Sequence, residues 1–165
     1  MSTCKSFAPI VDEHSRILIL GSMPGIKSLE QQEYYAHPQN RFWRLLALLL
    51  NEDVPQDYAA KQALLHKHHL ALWDTLGYCE RDGSLDSNIK NEAPNAVVEL
   101  VSELPHLQAV VCNGGKAGAA FKKYFAKKMP ERVRIFYLPS TSPANARLRL
   151  EGLAERWQVI LQFLA

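Results

Sequence analysis

The sequence predicts a single α/β domain with a mostly parallel sheet and helices on both faces. Two observations carry this prediction. Strand-like apolar runs alternate with helix-like segments along the whole chain, and no repeat or low-complexity stretch interrupts them. The unusual polar sequence gathers just after the strand-like runs, at 21–25, 74–88, 113–116 and 138–145. In a parallel sheet these are the carboxyl ends of the strands, outside which ligands bind. A chain of 165 residues fits one domain, 1–165, and can bury a real core.

The elements follow in order. "RILIL" (16–20) reads as a short buried strand ended by Gly21. Ser28 and Gln31 have the spacing of a capping box, but Tyr34, Tyr35 and Pro38 soon end any helix. "RFWRLLALLLN" (41–51) is apolar almost all round and reads as a buried helix. A second helix over 57–69 places Ala60, Leu64, Leu65 and His68 on one face, and "LALWDT" (70–75) is the next strand. The polar stretch 77–94 is long for a compact domain and reads as a functional or mobile loop. A helix over 94–104 would start with Pro94 in its first turn. "LQAVVCNG" (107–114) is a strand, 115–129 a basic helix and "RVRIFYLPS" (132–140) the last strand. A final helix within 143–165 is expected to bury Leu153, Trp157, Ile160, Leu161 and Leu164.

Composition excludes several classes. No apolar run approaches the roughly 18 residues that suggest a membrane span, and the N-terminus has no signal-peptide core, so a cytoplasmic protein is expected. Cys4, Cys79 and Cys112 lie far apart with no C-x-x-C pair, which suggests reduced structural thiols and neither a zinc knuckle nor an iron–sulfur cluster. His66, His68 and His69 could ligate a metal by spacing, but no fourth ligand is in view. G-x-S-x-G and H-E-x-x-H are both absent. Asp74, Asp82 and Asp86 are available, without a tight carboxylate pair in a strand-end loop. The net charge of +2 conceals an asymmetry: residues 114–149 carry nine Lys/Arg against Glu131 alone, a segment charge of +8 that leaves −6 for the rest. A basic third suggests a polyanionic partner; the other reading is a solvated helix face.

Four stretches could carry chemistry. In Gly21-Ser22-Met23-Pro24-Gly25 the glycines allow unusual backbone angles and close ligand approach, Pro24 stiffens the turn, and exposed N–H groups could bind a carbonyl, carboxylate or phosphate. In His37-Pro38-Gln39-Asn40-Arg41-Phe42-Trp43, Asn40 either caps the following helix or holds a water or a base edge, accepting from the water with its oxygen. Trp43 reads as core and Tyr35 as a stacking surface. In "CNGGKAG" (112–118), Asn113 could read a base or cap a helix, and Gly114, Gly115 and Lys116 make an anion-friendly turn. In "LPSTSPANAR" (138–147), Ser142-Pro143 reads as a cap and first-turn proline; alternatively Ser140, Thr141, Ser142 and Asn145 face phosphates with Arg147 and Arg149 in support. A stiff loop with a small tip can also enter a duplex.

The ordered set "GSMPG"–"YYAHPQNRFW"–"LWD"–"SLDSNI"–"VVCNGGKA"–"YLPSTSPANA" resembles the uracil-DNA glycosylase superfamily, and most of all its hypoxanthine-DNA (deoxyinosine) glycosylase branch, over about residues 16–160. The resemblance implies a three-layer α/β/α sandwich with a central four-stranded mostly parallel sheet, no metal and no cofactor. It implies a monomer acting on double-stranded DNA that carries a deaminated base, which is flipped into a pocket at the strand ends. Mismatch-specific uracil relatives have a water-positioning Asn in G-I-N-P-G, where this chain has Ser22 or Met23. The hypoxanthine branch moves that role to the Asn of H-P-Q-N-R-F-W, here Asn40. A His opening the second motif in several relatives is Leu138 here, which favours a purine lesion over uracil. The base pocket then comprises Gly21–Gly25, Tyr35, His37 and Asn113. DNA contacts fall to Lys116, Ser140, Thr141, Ser142, Pro143, Asn145 and Arg147.

Overall fold

The computed structural model describes residues 2–164. Its central sheet holds four parallel strands: β2 (Ile17–Gly21), β3 (Leu70–Asp74), β6 (Ala109–Asn113) and β7 (Arg134–Leu138), in the order β3-β2-β6-β7. Alternation along the strands divides the core. Ile17, Ile19, Leu70, Leu72, Ala109 and Val111 face one layer. Leu18, Leu20, Ala71, Val110 and Cys112 face the other. Both faces are covered, so the strands read as continuous apolar runs rather than alternating ones.

The first layer is α2 (Phe42–Leu50), α3 (Tyr58–Lys67) and α6 (Leu150–Trp157), with Phe42, Leu45, Leu65, Leu153 and Trp157 fully buried. The second is α4 (Val97–Ser102) and α5 (Gly115–Tyr124), which bury Val97, Val101, Ala117 and Phe121. A short α1 (Ile26–Gln31) follows β2. Asp57 caps α3 by accepting the Ala60 N–H at 2.8 Å.

Several expectations change. The polar stretch 77–94 is only partly loop: β4 (Leu76–Glu80) and β5 (Lys90–Pro94) pair antiparallel around a loop over 81–89, and β1 (Thr3–Lys5) pairs with β4 in a second, three-stranded sheet. Half-exposed positions along β4 and exposed ones along β5 hide it from an apolar-run reading. Pro94 therefore ends a strand, and α4 starts three residues later. Ser28 lies inside α1, where its buried hydroxyl accepts the Ala36 N–H at 3.1 Å instead of capping. Leu161 is exposed because the chain tightens into a 3₁₀ turn over Gln158–Phe163 and carries that residue off the buried face.

The cysteines Cys4, Cys79 and Cys112 are buried free thiols. His66 pairs with Asp12 at 2.9 Å and His68 with Glu52 at 2.8 Å. Among the described residues no helix is long and apolar enough to cross a membrane.

Candidate functional site: a cleft at the strand ends

The chain runs from β2 to β3 on one side, then returns past β2 to place β6 on the other. The order therefore reverses between β2 and β6, where open α/β sheets bind ligands. A cleft of about 1000 Å³ opens there. It is lined by the Gly21–Gly25 turn, Tyr35, His37, Asn40, Asp74, 84–87, Asn113 and 139–145.

The glycine turn works by close approach, not by unusual angles. Neither Gly21 nor Gly25 has a positive φ among the described residues. A Cβ on Gly21 would lie 2.6 Å from Asp74 Oδ1, and one on Gly25 would lie 3.2 Å from Ser84 Oγ. The turn's carbonyls are engaged: Gly21 O by Thr75 N–H at 2.8 Å, Ser22 O by Leu76 N–H at 3.1 Å, and Pro24 O by the Arg81 guanidinium. The N–H groups of Ser22, Met23 and Gly25 donate to no described residue. Ser22 Oγ donates to Asp86 Oδ1 at 2.6 Å, and Met23 packs into the cluster of Cys4, Leu76, Cys79 and Ala120.

Facing this turn, a hydrogen-bond chain has a direction that two backbone donors fix. The Phe42 N–H donates to Asn40 Oδ1 at 3.0 Å, and the Thr141 N–H donates to Asn113 Oδ1 at 3.0 Å. Both amide orientations follow. Asn113 Nδ2 then donates to Thr141 Oγ1 at 3.1 Å, and Thr141 Oγ1 donates onward to Asn40 Oδ1 at 2.8 Å. The expected use of the Asn40 oxygen on a water is corrected: that oxygen holds Phe42 and Thr141, and Asn40 offers its Nδ2 hydrogens to the cleft. Arg41, not Asn40, is the residue flanking α2. Asn113 caps no helix, since Gly114 precedes α5 with φ 98° and a Cβ there would meet Ser140 Cβ at 2.9 Å.

Arg41, passed over in the sequence, holds the 140–148 loop. Its guanidinium donates to the Ser142 carbonyl at 2.8 Å, the Asn145 carbonyl at 2.9 Å and the Leu148 carbonyl. Asn145 Nδ2 donates back to Ser140 O at 3.0 Å, while Pro143 and Ala144 stay exposed at the tip. A planar fork suits several acceptors at once, so the loop is stiff. On the opposite wall Arg81, 1% exposed, reaches Pro24 O and Ser84 O.

Asp74 is the other group that sequence reading left aside. It ends β3, lines the cleft and is 4% exposed. Burial pushes its carboxyl up to about 7; the Ser6 hydroxyl and Arg81 pull it down, and Asp86 adds to the rise. Its position directly after an apolar run was the available signal. Tyr35 stacks on Phe42 with ring centroids 4.0 Å apart, and its hydroxyl is buried without a partner. Burial first and the Asp74 charge second raise that phenol well above its ordinary range.

The basic third divides. α5 starts at the cleft and runs away from it, so Lys122, Lys123, Lys127 and Lys128 lie toward the far end of the sheet, as do Arg132 and Arg134 at the start of β7. Arg132 donates to the Leu107 and Leu104 carbonyls, and Arg134 packs over Phe136. Lys116 stands at the cleft end of α5 but outside the lining, bound to Glu92 Oε1 at 2.5 Å. Arg147 and Arg149 are exposed beside the loop.

Comparison with known proteins places this geometry. The family model of the Uracil DNA glycosylase superfamily matches residues 8–163. The chain is 39% identical over 158 residues to a hypoxanthine DNA glycosylase of Methanosarcina barkeri, covering 93% of this chain and 98% of that one. It is 34% identical over 160 residues to a hypoxanthine DNA glycosylase of Methanosarcina acetivorans, covering 96% and 98%. A solution NMR structure of a candidate uracil DNA glycosylase from Methanosarcina acetivorans superposes with a TM-score of 0.85 at 32% identity, covering 99% of both chains.

Proposed function

The chain belongs to the uracil DNA glycosylase superfamily, and on that premise we propose that it is a monofunctional DNA glycosylase that excises hypoxanthine from deoxyinosine and leaves an abasic site. We assign it a deaminated base in double-stranded DNA as substrate and a monomeric, cytoplasmic life. The observation that carries the reading is the directed chain Asn113–Thr141–Asn40, which aims two unengaged hydrogens of Asn40 into a cleft at the sheet's switch point.

The steps follow from the geometry. The stiff 139–147 loop enters the duplex with its small tip, and the target nucleotide rotates out. Ser140, Ser142, Asn145 and Arg147 meet the backbone, which positions the protein without reading sequence. Tyr35, its ring stacked on Phe42, meets the base with its hydroxyl edge. The free N–H groups of Ser22, Met23 and Gly25 offer further donors beside it.

As the C1′–N9 bond stretches, positive charge develops on the sugar. Asn40 Nδ2 donates to the oxygen of one water and fixes it below C1′. A donor lends no basicity, so positioning and electrostatics carry the rate. Water oxygen bonds C1′, N9 takes the electron pair of the broken bond, and the water's proton leaves to solvent. The Gly21–Gly25 turn itself holds no lysine to form a Schiff base, and Lys27, which also lines the cleft, pairs with Glu30 at 3.7 Å.

The test is a panel of labelled duplexes carrying hypoxanthine, xanthine or uracil, treated with protein and then alkali. Strand cleavage led by the hypoxanthine duplex is expected. Cleavage led by uracil would replace the substrate assignment. Salt-dependent binding with no abasic product on any duplex would replace the enzyme with a binding module.

A further inference from the structure

The Asn113–Thr141–Asn40 chain holds no group that can give a proton to a leaving base. The floor of the cleft does. Ser6 Oγ donates to Asp74 Oδ2 at 3.0 Å and orients the carboxyl, while Asn95 Nδ2 holds the Asp74 backbone carbonyl at 2.9 Å. Asp74 Oδ1 takes a hydrogen bond from no described residue. It lies 2.6 Å from the position a Gly21 Cβ would occupy, and Tyr35 Oη lies 3.1 Å from the same position.

Tyr35 Oη is buried and makes no hydrogen bond of normal geometry, with the Asn113 side chain close enough to favour its ionised form, and Tyr35 holds a left-handed backbone with φ 53°, uncommon for an aromatic residue. Two polar atoms from separate elements thus converge over a glycine whose missing side chain lets both approach the turn closely. A buried hydroxyl without a partner is costly unless a ligand atom completes it.

Resting on the reading of the chain as a hypoxanthine glycosylase, we propose that the Asp74 carboxyl and the Tyr35 hydroxyl together donate to the N7 and O6 edge of the flipped purine, with Asp74 passing its proton to N7. Hypoxanthine carries two adjacent acceptors on that edge, as guanine does, whereas adenine pairs N7 with an amino donor. Two donors therefore accept the deaminated base and oppose adenine's amino group. Uracil has no such edge.

The proton count closes. The C1′–N9 electron pair moves to N9, the Asp74 proton moves to N7, and the base leaves neutral. Asp74 then regains a proton from solvent.

Burial holds a large share of Asp74 protonated near neutral pH. The groups facing it are the Ser6 hydroxyl, Asp86 in the turn Asp86–Asn88, Arg81 beyond β4, and Tyr34 and Tyr35 ahead of α2. Ser6 and Arg81 favour the ionised form and Asp86 opposes it.

The experiment measures single-turnover excision against pH on duplexes with deoxyinosine or 7-deaza-deoxyinosine, which has C–H in place of N7. The wild-type rate on deoxyinosine should fall above about pH 7, approaching tenfold per unit. The isosteric Asp74→Asn should remove that limb and lower the neutral rate by about 10²-fold. It should cost nothing further on the 7-deaza duplex, where the wild type is already slow. Ser6→Ala removes the hydroxyl that favours the carboxylate and should move the limb to higher pH.

An Asp74→Asn enzyme with the wild-type rate and limb, or with equal losses on both duplexes, overturns the proposal while leaving the glycosylase intact. A wild type inert on deoxyinosine overturns the function and the proposal with it.

Discussion

Along one wall of the cleft, from Asn113 through Thr141 to Asn40, no group titrates, and each hydrogen bond has a direction fixed by a backbone donor. Along the other, Asp74 and Asp86 line the space beside the glycine turn, and Asp74 is held near neutrality by burial. Each wall is pinned by an arginine gripping backbone carbonyls: Arg41 on the first, Arg81 on the second. The difference separates two tasks. A neutral, fully directed network holds geometry at any pH, while a buried carboxyl supplies a proton over a limited range.

The largest effect that could break this division is one of stability. The Asp74 carboxyl is raised from 3.8 to about 7 in the fold. The native state therefore binds an extra proton between those values, so stability is full below pH 4, falls as pH rises through 7 and is level above. Asp74→Asn lacks this loss. Its stability relative to wild type, from urea melts at several pH values, should climb between pH 4 and 7 by on the order of 4 kcal/mol. A flat difference would make Asp74 an ordinary carboxylate.

Next is the neutral wall. Asn40→Ala should lower excision about 10²- to 10³-fold, the cost of one preorganised donor, and keep its fold by circular dichroism. Full activity would leave Asn40 as only a support for the start of α2. Arg41→Met should cost about 2–3 kcal/mol in a urea melt, since carbonyls of Ser142, Asn145 and Leu148 lose one charged partner together.

Gly21→Ala presses a methyl between Asp74 Oδ1 and Tyr35 Oη, and should cost about 1–2 kcal/mol in the same assay. The smallest effect sharpens the electrostatics. Arg147→Ala should reduce the slope of log affinity against log salt by about 1, whereas Lys116→Ala, whose amine already binds Glu92, should leave it nearly unchanged.

The four central strands were legible because burial on both faces writes itself as a run such as "RILIL" or "AVVCN". The second sheet was not. β4 and β5 show neither an apolar run nor clean alternation, and they are strands because they pair with each other and because β4 pairs with β1, about 75 residues away. The site divides the same way. Gly21–Gly25, Asn40, Asn113 and 139–145 stand at strand ends or beside an abrupt change of pattern, so position marked them. Arg41 sat in plain view, but its carbonyl partners lie about a hundred residues on.

By itself the sequence determined the α/β architecture and the strand ends at which a site must form, because burial and local turn chemistry are recorded residue by residue, and it offered the amide of Asn40 as a candidate. The tertiary structure alone decided which way that amide faces, which cations reach the cleft, and that Asp74 meets an unpartnered tyrosine hydroxyl over Gly21. Those depend on distances between segments that chain order does not encode, and on the loss of water that only the assembled fold imposes.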